Sequence, residues 1–168
     1  MTAELSTLLR RGLAAHEGNR LQEAEKIYRR VLDIAPNNRE AEHLLATLLT
    51  RQGHHREALE LFENCVSHMG ANPAARCNYA IALEANGNIE HAIDEFRLAL
   101  SYHGDFPTAL FHLARLEKAR GNYGQTIDLL GRMLNLHSGN FDAFLLFGEA
   151  LNALGQYEAA LMAFENAA

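Results

Sequence analysis

Apolar residues in this chain recur at three- and four-residue spacings, the period of one face of an α-helix. Leu21, Ala24, Tyr28, Val31 and Leu32 form one such stripe, and Ile89, Ala92, Ile93, Phe96, Ala99 and Leu100 form another. The stripes are themselves repeated. Residues 87–96 read GNIEHAIDEF and residues 121–130 read GNYGQTIDLL, sharing a Gly-Asn start, Ile-Asp at the seventh and eighth places and an apolar tenth place. GHHREALELF from Gly53 and GQYEAALMAF from Gly155 continue the series, so that glycines stand at 53, 87, 121 and 155, a constant step of 34 residues. An earlier copy, GNRLQEAEKIY, begins at Gly18, one residue ahead of register, and its Ala24 and Tyr28 fall back into step. Five copies fit within a single expected domain spanning 1–168: 5–38, 39–72, 73–106, 107–140 and an incomplete 141–168.

Each copy predicts a pair of packed helices. Gly12, Ala46, Ala80, Ala114 and Gly148 share one small place, and Ala24, Ala58, Ala92 and Ala160 share another, where Thr126 is the exception. Tyr28, Phe62, Phe96, Leu130 and Phe164 share a large place. Small residues let two helices approach closely, and the large side chain fills the wedge between them. The glycines at 53, 87, 121 and 155 fall where a first helix must stop, since Gly enters the left-handed cap conformation without a side-chain clash. Asn38, Asn72 and Asn140 are placed to cap the next helix, and Pro73 and Pro107 occupy a first turn, where the missing N–H costs nothing. Ten helices are expected, near 4–17, 21–34, 38–51, 55–68, 72–85, 89–102, 107–119, 123–136, 140–153 and 157–167, with no strand.

A 34-residue helix-turn-helix unit with small residues at these places resembles the tetratricopeptide repeat, and the resemblance covers nearly the whole chain. Leu110, Leu113, Ala114, Gly121 and Ile127 carry the pattern in the fourth copy, and Pro36 alone keeps the family proline, with Gly70, Gly104 and Ser138 in its place elsewhere. Other departures are Glu42 and Arg76 at a large place and Arg11 where Leu is usual. The resemblance implies an all-α, right-handed superhelical solenoid of stacked antiparallel helix pairs, whose first helices line a concave groove that holds a peptide or protein segment. By the family's rule the groove takes the second, fifth, ninth and twelfth places of each copy. Its candidate residues are Leu9 and Leu13 in the first copy and His43 and Thr47 in the second, then Cys77 and Ile81, then Phe111, Arg115 and Lys118, and finally Leu145 and Glu149, with Asn78 and His112 one place inside the row. Phe111, Arg115 and Lys118 set an aromatic platform beside two cations on one helix face, suited to a side chain with an acidic neighbour. Family members that clamp the acidic tails of heat-shock chaperones carry Lys, Asn and Arg where this chain has Leu9, Leu13, Leu44, Ala74 and Asn78, so a cochaperone of that type is not expected.

Composition narrows the alternatives. The formal charge of −6 opposes phosphate binding, so no nucleic-acid partner is expected. Residues 1–39 are weakly positive, with Arg10, Arg11, Arg20, Lys26, Arg29, Arg30 and Arg39 against Glu4, Glu17, Glu23, Glu25 and Asp33, and read as a solvated face. No stretch has the roughly 20 apolar residues of a membrane span and the N-terminus lacks a signal-peptide core, so no membrane partner and a cytoplasmic location are expected. Cys65 and Cys77 stand alone, and none of the nine histidines pairs at the spacing of a helical metal site. With no phosphate loop and no carboxylate pair in an apolar setting, neither a cofactor nor catalysis is expected. The repeat style of AEHLLATLLTRQGHHREALELF and EALNALGQYEAALMAF is similar to the N-terminal arms of bacterial proteins that carry a sulfo-, methyl- or glycosyltransferase domain, which implies a substrate-presenting or dimerising arm as an alternative role. A free-standing assembly scaffold in secretion or cell-envelope construction is a further one. The last copy stops at Ala168, about six residues short of the 34-residue unit, which leaves Leu154, Leu161 and Ala168 where a further copy would dock; either a further segment that covers this end or a homodimer through this C-terminal repeat is the corresponding expectation.

Overall fold

The computed structural model describes residues 2–66, 70 and 72–167, and among them forms ten helices and no strand. In chain order they are α1 (Thr2–Glu17), α2 (Leu21–Ile34), α3 (Arg39–Arg51), α4 (His55–Val66), α5 (Pro73–Ala85), α6 (Ile89–Tyr102), α7 (Pro107–Ala119), α8 (Tyr123–Leu136), α9 (Phe141–Ala153) and α10 (Tyr157–Asn166). The bounds agree with those expected to within two residues, except that residues 67 and 68 of the fourth expected helix lie outside the described residues.

The chain divides into two compact units, Met1–Asn88 and Ile89–Ala168. In the first, α1 packs on α2 and α3 on α4, each pair a hairpin, while α2 meets α3 and α4 meets α5. The first helices also lie side by side, α1 against α3 and α3 against α5. The second unit repeats the scheme: α7 pairs with α8 and α9 with α10, α6 meets α7, α8 meets α9, and α7 lies beside α9.

The side chains explain why hairpins form. Tyr28, Phe62, Phe96 and Leu130 are fully buried, as are the alanines at 24, 46, 58, 80, 92 and 114. A β-carbon added at Gly12 would lie 2.5 Å from Tyr28 Cε1, and one at Gly148 would lie 2.5 Å from Phe164 Cε1, so the ring occupies the space that a larger small-place residue would need. Asn38, Asn72 and Asn140 accept hydrogen bonds from the amides of Ala41 (2.9 Å), Ala75 (3.1 Å) and Ala143 (2.8 Å), capping α3, α5 and α9. The fourth copy has Phe106 at this position and no side-chain cap.

Copy one is corrected by one residue. The turn between first and second helices needs one residue with positive φ, supplied at Gly53, Gly87, Gly121 and Gly155, and here it falls on Asn19 (φ 58°), not Gly18. Asn is among the few non-glycine residues that enter this region at modest cost. Asn19 is 34 residues before Gly53, so the first copy is in register after all. The charged departures are also accommodated: Glu42 is buried with its carboxylate 2.9 Å from the Arg39 guanidinium, and Arg11 is exposed.

Candidate peptide-binding surface

The side-by-side arrangement of first helices brings the groove places onto a common face within each unit. Along the α1–α3 seam, Ser6, Leu9, Arg10, Leu13, Glu40 and Leu44 line a cleft of about 240 Å³. On the α3–α5 seam the Asn78 side-chain amide donates to Thr47 Oγ1 at 3.2 Å. On the α7–α9 seam Lys118 Nζ is ion-paired with Glu149.

These contacts revise the lining. Leu9 and Cys77 are 7% and 1% exposed and belong to the packed interior, because the close approach of neighbouring first helices covers them. Burial pushes the Cys77 thiol up to about 12, so it offers neither a thiolate nor an accessible contact. Of the two cations beside Phe111, Lys118 is ion-paired with Glu149 and Arg115 is exposed. Asn78 likewise spends a donor on Thr47. Leu13 and Leu145 are exposed, and His43, Ile81, Phe111 and His112 are partly so.

His43 packs its ring edge against Phe62 at 5.8 Å, and burial holds its pKa below the usual 6.5; His16 is lowered by burial and then by Arg51. Both rings favour the neutral form in the folded chain. Their contribution is therefore complete above the unfolded value of about 6.5 and is lost as pH falls through the lower folded values. Thermal unfolding should show a falling midpoint between about pH 7 and about pH 5, with a shallower slope for His43→Leu; an unchanged slope would remove His43 as a cause.

The second unit has a cleft of about 730 Å³ lined by Pro107, Thr108, Phe111 and His112 of α7, Met133 and Leu136 of α8, and residues 137–140 of the following loop. His112 is held flat against Phe96, with centroids 5.4 Å apart and an interplanar angle of 19°, and meets the edge of Phe111 at 6.1 Å. Met133, Leu136 and His137 were absent from the groove expected from the first helices alone. A signal for them exists in the repeat: Ile34, Tyr102 and Leu136 occupy one place at the end of a second helix, all apolar and all 42–43% exposed.

Helix pairs of this size and spacing, with first helices adjacent, are decisive when set beside solved structures. MamA superposes with a TM-score of 0.83 at 20% identity, covering 99% of this chain and 91% of that one. PilF of Pseudomonas aeruginosa gives 0.82 at 16% identity over 97% and 74% of the two chains. YrrB, described as a TPR protein with an unusual peptide-binding site, gives 0.78 at 16% identity over 95% and 82%. The chain has the fold of tetratricopeptide-repeat proteins. Residues 17–99 also match the family described as anaphase-promoting complex, cyclosome, subunit 3. No curated protein matches the sequence.

Within that fold the departures found here concern chemistry more than architecture. Among the described residues no group of three or more His, Cys, Asp or Glu could hold a metal ion, and no helix is long and apolar enough to cross a membrane.

Proposed function

We propose that this protein is a non-catalytic interaction scaffold that holds a peptide segment on the face of its first helices, with the principal anchor in the second unit. The observation that carries this reading is the 730 Å³ cleft walled by Phe111, Met133 and Leu136, with exposed Arg115 one turn beyond Phe111 on the same helix face. A volume of that order accommodates one or two bulky side chains, and mixed apolar walls with a few polar groups are typical of a binding site. The peptide-binding site named for YrrB, a protein of the same fold, supports the class of ligand.

Apolar contact in the cleft supplies most of the affinity. Arg115 acts chiefly on orientation and association rate, because an exposed ion pair contributes only about 0–1 kcal/mol. The test uses a peptide selected on the full chain from a displayed random library. By calorimetry Phe111→Ala should weaken its binding at least about tenfold, as expected for loss of a central aromatic anchor. Arg115→Ala should weaken it less, with a reduced salt dependence, and Glu63→Ala on exposed α4 surface should leave it unchanged. Equal affinities for all three variants would exclude this surface as the site.

A further inference from the structure

Exposure alone does not name an occupant. Leu154 and Leu161, expected at a docking face, are exposed in the last repeat, but nothing in the structure shows what covers them, and Ala168, expected with them, lies outside the described residues. The 730 Å³ cleft is different, because its walls are selective. Among the described residues that line it, none is Asp, Glu, Lys or Arg. Two smaller clefts of the first unit carry formal charges of both signs, Arg29 with Asp33 and Glu57 in one and Arg10 with Glu40 in the other. A charged side chain entering the 730 Å³ cleft would lose hydration with no carboxylate, ammonium or guanidinium in the wall to replace it. An uncharged occupant is favoured.

The walls further favour a ring over an aliphatic chain. The His112 imidazole is held between the face of Phe96 and the edge of Phe111, so an aromatic wall stands in place without reordering. Met133 adds a thioether, and sulfur beside an aromatic ring is favourable. Leu136 is as exposed as Ile34 and Tyr102, which hold the same place in copies with further helices after them, so this opening is not a property of the last repeat. The chain itself supplies a template one copy earlier. In the loop before α7, Phe106 packs against the His103 ring edge with centroids 6.4 Å apart. The same two places 34 residues later are Asn140 and His137, and both line the cleft. Asn140 turns back to cap α9, accepting from the Ala143 amide at 2.8 Å. Copy four thus keeps the histidine and has a short polar side chain where copy three has a ring.

We propose that the cleft takes an aromatic side chain of the partner segment, its ring lying against His137 as Phe106 lies against His103, and flanked by Phe111 and Met133. This rests on the cleft being the peptide anchor and goes further by naming the residue class, Phe, Tyr or Trp in preference to aliphatic or charged residues. The Thr108 and Ser138 hydroxyls in the same lining can accept from a Tyr O–H or a Trp N–H.

The test titrates the N-acetyl amides of tryptophan, phenylalanine, leucine and lysine into the full chain carrying isotope-labelled methionine methyl groups, with the Met133 resonance assigned through Met133→Leu. The two aromatic amides should shift the Met133 methyl upfield by their ring currents and bind at least about fivefold more tightly than the leucine amide, with the lysine amide weakest. Asn140→Phe, checked for folding by circular dichroism, restores the ring of copy three and should weaken the aromatic probes at least about tenfold, whereas Asn140→Ser keeps a capping oxygen and should leave them unchanged. A leucine or lysine amide that binds as tightly as the aromatic ones would overturn the assignment of a ring while leaving the cleft as a peptide anchor. So would aromatic amides that leave the Met133 methyl unmoved, or an Asn140→Phe chain that binds them as the wild type does. A library-selected peptide whose affinity is unchanged by Phe111→Ala would overturn the anchor itself, and this proposal with it.

Discussion

Truncating Phe62 to Ala should destabilise the first unit by about 3–5 kcal/mol, the range for removing a fully buried aromatic ring. The ring of Phe62 is completely inaccessible and is gripped on two sides, by the edge of His43 at 5.8 Å and by Tyr79 at 5.9 Å. Ala46, at the small place of the same hairpin, and Ala58 on its own helix are also fully buried, so nothing flexible stands ready to fill the hole. Phe164 holds the same place in the last copy but is only partly buried, and Phe164→Ala should cost clearly less. Urea denaturation of the two variants checks both statements, provided the slope of each transition is unchanged. Equal losses would mean that the place in the repeat, and not burial, sets the energy.

How far such places could be read in the sequence depended on what repeats. A residue chosen by helix-helix distance recurs every 34 residues because the distance does; Gly12, Ala46 and Ala80 therefore declared their packing before any coordinates, as did the rings opposite them. The caps were legible for the same reason, since an asparagine at a fixed offset has a single local job. Asn19 is not legible as the turn residue from the glycine positions, because the first copy displaces its glycine by one residue while keeping the turn in place.

The candidate surface was less legible because it depends on pairs of side chains from different helices. The groove rule named Lys118 and Glu149 separately and could not show that they neutralise each other across the α7–α9 seam. It placed Cys77 on the face, although neighbouring helices approach closely enough to bury it. Leu136 was overlooked since it stands on a second helix, outside the rule, and only the shape of the chain around Phe111 brings it to the cleft.

One buried charge should prove replaceable, with opposite results for its two partners. Glu117 is 0% exposed, at a place where other copies have Leu49, Leu83 and Leu151. Its carboxylate accepts from Arg97 at 2.7 Å and from the Asn122 side-chain amide at 2.6 Å, tying α7 to α6 and to the turn that follows it. Withdrawing a carboxylate from water costs several kcal/mol, which the guanidinium and amide offset while both are present. Arg97→Ala leaves the charge enclosed with the amide alone, and the loss should fall toward the lower end of about 3–5 kcal/mol. Glu117→Leu removes the charge and restores the side chain used in three other copies, while the half-exposed Arg97 returns its charge to solvent. That variant should be neutral or more stable by up to about 1–4 kcal/mol, as buried ion pairs replaced by well-packed apolar groups commonly are. In the double variant Arg97→Ala should then cost almost nothing. If Glu117→Leu instead loses as much as Arg97→Ala, the ion pair itself contributes net stability between α6 and α7, and the burial of Glu117 could not be treated as a cost that its partners merely offset.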